Sequence, residues 1–166
     1  MRILNRLSYL FALPFTIASF ILMLTSDAII LTYNKTIITF SGTDVVFGWY
    51  PNGTTIHYDP SPLAKAAWII ALVAIILMIF GMILRFIYGD ELHGFHVFLG
   101  IILIAGLIIV GVFLFLAVPT FMEANDYGLF TDRCVIGNMW GLAGAFYFLS
   151  SLIIAFPLVF SIAKRR

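Results

Sequence analysis

Between Lys65 and Arg85 the chain reads AAWIIALVAIILMIFGMIL, residues 66–84, with no charged side chain among them. A helix rises about 1.5 Å per residue, so this run covers the roughly 30 Å hydrocarbon core of a bilayer. An ionisable group at that depth is costly, which is why charges bracket the run rather than interrupt it. Three further charge-free runs flank it: 7–26, with apolar character resuming past Asp27 to Leu31; 92–122; and 134–163, just before Lys164-Arg165-Arg166. The reading is a single membrane domain over residues 1–166, with helices near 7–31, 64–88, 93–121 and 134–163 and outer loops near 32–63 and 122–133. Composition agrees, since 63% of the 166 residues are apolar and 10% charged, against about 45–50% and about 25% in soluble domains. That excludes a soluble enzyme and a secreted disulfide scaffold. A net charge of +1 leaves no basic surface for nucleic acid.

The distribution of basic residues predicts orientation. Arg2, Arg6, Arg85, Lys164, Arg165 and Arg166 fall on the side of the termini and the hairpin around Gly89-Asp90-Glu91, whereas Lys35, Lys65 and Arg133 fall on the other. Both termini are therefore expected in the cytoplasm. Asp27, Asp44, Asp59, Glu123, Asp126 and Asp132 make the opposite surface acidic. Arg2, Arg6, the first apolar run and the small residues Ser26 and Ala28 also fit a cleaved signal peptide, but the run exceeds the usual h-region of about 7–15 residues and has the length of a span. The expectation is a retained first helix in an integral, multi-pass protein.

Lipid tails are as apolar as leucine, so membrane helices associate through close approach at small residues and a few polar contacts. The first span carries Ser8, Ala12, Thr16, Ser19, Met23 and Ser26 at alternating steps of four and three. The second carries Ala67, Ala71, Ala74, Met78 and Gly81, leading to Arg85, and the fourth carries Gly137, Gly141, Gly144, Phe148, Ser151 and Ala155. In the third, His96, Gly100, Leu107 and Gly111 can share a face. A period of 3.5 predicts a left-handed four-helix bundle. Gly137-xxx-Gly141 fits either a homodimer face or packing inside one bundle; stripes on every span favour the latter. Pro14, Pro119 and Pro157 are candidate kinks or ends, with Pro119 expected to release the chain into the second outer loop.

The first outer loop predicts a small extracytoplasmic β-meander. Its strands are Thr36-Ile37-Ile38-Thr39-Phe40, Asp44-Val45-Val46-Phe47-Gly48-Trp49-Tyr50 and Thr54-Thr55-Ile56-His57-Tyr58, with turns at Ser41-Gly42-Thr43 and Pro51-Asn52-Gly53. Ser61-Pro62 suits the cap and first turn of the second span. Phe47, Trp49, Tyr50, His57 and Tyr58 are the candidate partner-binding residues, with interfacial anchoring as the competing role for the aromatics. Asn34 and Asn52 lie in glycosylation sequons that matter only in a eukaryotic secretory pathway.

Motifs for chemistry are sparse. No span holds an ionisable residue near its centre, which argues against ion coupling or intramembrane catalysis. His93 and His96 are an i, i+3 pair without a defined third metal ligand, better suited to an interfacial cap. Cys134, the only cysteine, cannot form an internal disulfide. Asn138 suits interhelical hydrogen bonding. No catalytic residue, metal or cofactor is expected.

Four spans, cytoplasmic termini, a larger strand-patterned first outer loop and a shorter second one resemble the claudin-type four-span superfamily. The resemblance covers the chain as topology. Claudins carry a Gly-Leu-Trp segment and a cysteine pair in the first outer loop; this loop has Gly48-Trp49-Tyr50 and no cysteine. The expected function is that of a non-enzymatic accessory, scaffold or adhesion-type subunit binding a protein partner through its outer loops. An oligomeric channel or transporter component is the alternative, and a membrane enzyme or redox carrier using His93 and His96 the third reading.

Overall fold

The computed structural model describes residues 2–33, 36–48, 58–89, 91–125 and 134–163. In chain order these form α1 (Arg2–Thr25), β1 (Asp27–Tyr33), β2 (Thr36–Ser41), α2 (Gly42–Phe47), α3 (Pro62–Tyr88), α4 (His93–Ala124), β3 (Cys134–Ile136) and α5 (Asn138–Ala163). Within them, Leu7–Thr25, Pro62–Tyr88, His93–Ala124 and Asn138–Phe160 are long and apolar enough to cross a membrane. Helix α1 packs on α5 and α3, and α4 on the same two, so the long helices follow one another around the bundle in chain order.

Small residues on one helix meet large ones on another. The buried stripe of α3 is Ala64, Ala67, Ala71, Ala74, Met78, Gly81 and Arg85. Helix α4 turns Leu99, Leu103, Leu107, Val110 and Leu114 inward, together with His96, Gly100 and Gly111. On α1, Ser8, Ala12, Thr16, Ser19 and Met23 are buried. Their hydroxyls bond inside the bundle: Ser19 donates to the Ala143 carbonyl at 2.7 Å, and Thr16 to the Ala12 carbonyl at 3.1 Å. From α5, Ser150 donates to the same Ala12 carbonyl at 3.4 Å, and the Trp140 indole N–H donates to the Leu114 carbonyl at 2.9 Å.

Two expected boundaries move. Apolarity past Asp27 suggests a first helix reaching Leu31, but α1 ends at Thr25 and 27–33 is strand β1. The Thr25 and Ser26 hydroxyls donate to the Ile21 and Leu22 carbonyls at 2.9 and 2.6 Å, closing the last turn. An apolar run is compatible with either structure, and the sheet decides this one by pairing β1 on both sides. Likewise 134–136 is strand β3, and the fourth long helix begins at Asn138. Pro119 does not end α4, which continues to Ala124. The Thr120 hydroxyl donates to the Leu116 and Ala117 carbonyls at 3.2 and 2.9 Å in the turn that the proline enters. Pro14 and Pro157 also lie inside helices.

The sheet differs from a meander within one loop. Its order is β2-β1-β3, both pairings antiparallel, and β3 comes from the segment before α5. Within the expected turn and second strand, Gly42–Phe47 is instead the six-residue helix α2. Ser41 caps it: its N–H and hydroxyl donate to the Asp44 carboxylate at 2.8 and 2.7 Å, while the Asp44 N–H donates back to the Ser41 hydroxyl at 3.3 Å. This reciprocal capping box and the burial of Val45 and Val46 override the strand preference of valine. The expected third strand falls outside the described residues, apart from Tyr58.

Candidate functional site

The sheet closes the end of the bundle opposite the α3–α4 hairpin and separates two faces. Paired residues in an antiparallel sheet share a face. Ile29 pairs with Phe40 and Ile136, and Leu31 with Ile38 and Cys134, so these apolar side chains turn together toward the bundle. Phe40 meets Phe121 of α4 edge-on at 5.1 Å and Tyr58 at 5.3 Å. Trp140 is fully buried beneath this cap.

The other face comprises Ile30, paired with Thr39 and Val135, and Thr32, paired with Ile37. Ile30 is half-buried, Thr32 and Thr39 are exposed, and Ile37 and Val135 are 66% and 61% exposed. Three β-branched aliphatics bordered by two threonines thus lie on a rigid surface fed by both loop segments. Isolated exposed apolar residues need no explanation, but a contiguous group on a pinned sheet is a candidate contact surface.

Backbone contacts pin that surface. The Gly42 N–H donates to the Ser26 carbonyl at 2.8 Å and the Gly137 N–H to the Ala28 carbonyl at 3.0 Å. At both glycines a Cβ would run into backbone, the Met23 and Asp27 carbonyls respectively. The Ser61 N–H donates to the Val45 carbonyl at 2.8 Å, and the Ser61 hydroxyl bonds that of Thr120 at 2.6 Å. Ser61 also caps α3, as Ser61-Pro62 predicts. Asn125 at the end of α4 clasps Asp59: its amide donates to the Asp59 carbonyl at 2.9 Å and its side-chain oxygen accepts the Asp59 N–H at 2.7 Å. Partial burial on the bundle side of the sheet pushes the Cys134 thiol up from its ordinary pKa, so less of it is thiolate at neutral pH.

The residues singled out from sequence scatter around this cap. Phe47 is on α2, exposed on one side and edge-on to Trp68 of α3 at 5.3 Å. Tyr58 is half-buried against Phe40. Trp49, Tyr50, His57 and both sequon asparagines, Asn34 and Asn52, lie outside the described residues. Ala67, Ala71, Ala74 and Gly81 lie on the buried face of α3, where a Cβ on Gly81 would meet Leu99 at 2.6 Å. Gly144 receives Phe115 of α4, and Gly111 receives Phe148 of α5, the two rings stacking at 6.4 Å. Gly137 abuts β1, whereas a Cβ on Gly141 would have nothing within 4 Å among the described residues. Asn138 is exposed at the start of α5.

Ile30, Thr32, Ile37, Thr39 and Val135 were not identifiable as a group because Val135 lies some 100 residues from the hairpin that carries the other four and only pairing places it beside them. One local signal existed: Ile37 and Thr39 alternate with Ile38 and Phe40, which gives β2 two faces. At the opposite end His96 is buried and His93 half-buried. Among the described residues, no group of three or more His, Cys, Asp or Glu side chains is placed to hold a metal ion. No protein-family model, curated protein or solved structure matches this chain.

Proposed function

We propose that this chain is a non-enzymatic, multi-pass membrane protein that presents its sheet as a recognition surface for a protein partner, acting as an accessory, scaffold or adhesion-type subunit. The observation that carries the reading is the outward group of Ile30, Ile37 and Val135 with Thr32 and Thr39 beside it. Backbone pairing holds that face in one conformation, so binding would not incur the cost of ordering a loop. In the proposed orientation both termini are cytoplasmic, following the excess of basic residues there, and the sheet faces outward from a left-handed bundle. The claudin-type resemblance enters through topology alone.

The test places a photocrosslinking amino acid at position 37 in the native membrane. A discrete adduct is expected there, lost when Val135→Lys is added across the sheet, and absent when the probe replaces Phe86 at the other end of the bundle. No adduct at position 37, or one that survives Val135→Lys, would refute the proposal.

A further inference from the structure

We infer, resting on the recognition role proposed for the sheet, that the protein segment it receives is cationic. Apolar residues of that segment cover Ile30, Ile37 and Val135, and lysine or arginine faces the carboxylates around them. The described residues of the face are aliphatic or hydroxylated, so the centre of the contact is uncharged. Protein contacts commonly combine such a centre with a polar rim. The rim then decides which partner is accepted and how fast it is found.

Charge placement selects the partner. Residues 26–65 connect α1 to the first turn of α3 and residues 123–137 connect α4 to α5, both at the sheet end, and together they carry six carboxylates against three basic side chains. Any ion pair among them removes one charge of each sign, so an excess of three carboxylates stays whatever the pairing. The whole chain has a net charge of +1, so the excess comes from placement and not from composition. Two of the carboxylates lie at one end of the sheet. Asp27 is exposed and opens β1, three residues from Ile30 and thus about 10 Å away at the rise of a strand. It pairs with Ser41, whose N–H and hydroxyl donate to the Asp44 carboxylate at 2.8 and 2.7 Å. About 10 Å is also the Debye length at 0.1 M salt, so Asp27 acts on whatever covers the face.

The same excess counts against a second copy of the chain as the occupant. Two sheet ends brought face to face would juxtapose like net charges, which opposes the contact. A basic segment instead gains a steered encounter and a complementary rim, while its apolar side chains cover the exposed aliphatics.

The experiment extends the crosslink from position 37, in permeabilised native membranes holding the full-length chain. The adduct is digested and the joined peptide identified by mass spectrometry. Its yield is followed from about 0.1 to about 1 M NaCl, over which the screening length falls from about 10 to about 3 Å. The joined segment is expected to hold more lysine and arginine than aspartate and glutamate, and the yield to fall several-fold at high salt. Asp27→Asn should lower the yield about two- to fivefold at low salt, the effect of one exposed ion pair, and have little effect at high salt. The salt series stands as the test if Asp27→Asn does not fold. An acidic or neutral joined segment, an adduct to a second copy of the chain, or a yield indifferent to salt and to Asp27→Asn would overturn the cationic assignment and leave the sheet a recognition surface. No adduct at position 37 at any salt concentration would overturn the recognition role itself, and the cationic partner with it.

Discussion

Replacing Gly137 and Gly141 in turn by alanine should have opposite effects, although the two form a single GxxxG in sequence. A Cβ at Gly137 would enter the Asp27 carbonyl, with the carbonyl carbon at 2.7 Å and the Ala28 nitrogen at 3.5 Å. Those are backbone atoms and cannot swing aside as a side chain would. Strand β3 must therefore lift from β1, breaking the 3.0 Å bond from the Gly137 N–H to the Ala28 carbonyl and straining the adjoining pair Ile29 and Ile136. At about 0.5–1.5 kcal/mol net per backbone hydrogen bond, loss of that bond and one or two neighbours costs roughly 1–4 kcal/mol. Gly141 lies inside α5 with nothing among the described residues within 4 Å of the added carbon. There alanine stabilises by about 0.5–1 kcal/mol, because it loses less backbone entropy than glycine. The assay is unfolding of the purified full-length chain in detergent by increasing SDS, followed by tryptophan fluorescence and far-ultraviolet circular dichroism, with oligomeric state measured in parallel. Gly137→Ala should lower the midpoint and Gly141→Ala leave it unchanged or raise it. Equal losses at both positions, accompanied by dissociation of a dimer, would refute the reasoning and make the pair an interface between copies. A neutral Gly137→Ala would refute the close approach itself.

Three further outcomes follow from the cap. Trp140→Phe removes the indole donor to the Leu114 carbonyl and should cost about 1–2 kcal/mol in the same unfolding assay, from the lost bond plus the space left behind; an unchanged midpoint would contradict it. Ser41→Ala removes the capping box of α2 and should cost about 1 kcal/mol, seen as faster hydrogen exchange over residues 42–47 with α5 unchanged; equal acceleration in both would argue against a local role. Burial raises the Cys134 pKa, so maleimide labelling at neutral pH should be slower in the folded chain than in SDS and should accelerate as pH rises toward the shifted value; equal rates in the two states would count against that environment.

How much could be read without the fold varies by residue type. The small and hydroxylated stripe of α1 is legible because Ser8, Ala12, Thr16, Ser19 and Met23 follow helical spacing, and all five are buried. Helix α2 was hidden by its valines, although Ser41-xx-Asp44 carries the capping-box spacing that forms it. Strand β1 was hidden by apolarity continuous with α1, and β3 by its three-residue length and by apolarity continuous with α5. Arg85 was visible at the end of a stripe, but its place above Tyr9 and beside His96 depends on two other helices.

From sequence alone the protein has four helices able to cross a membrane, small faces on which they pack, and charges kept to the ends. These are local properties, set by the length, period and transfer cost of side chains along one segment. Tertiary structure alone decided that the sheet joins segments before and after the middle pair of long helices. It also decided that Ile30, Ile37 and Val135 share a face, and that a Cβ on Gly137 would meet a backbone carbonyl while one on Gly141 would meet none of the described residues. Strand pairing and backbone approach are relations between distant segments, and no local preference specifies which distant partner a strand or glycine will find.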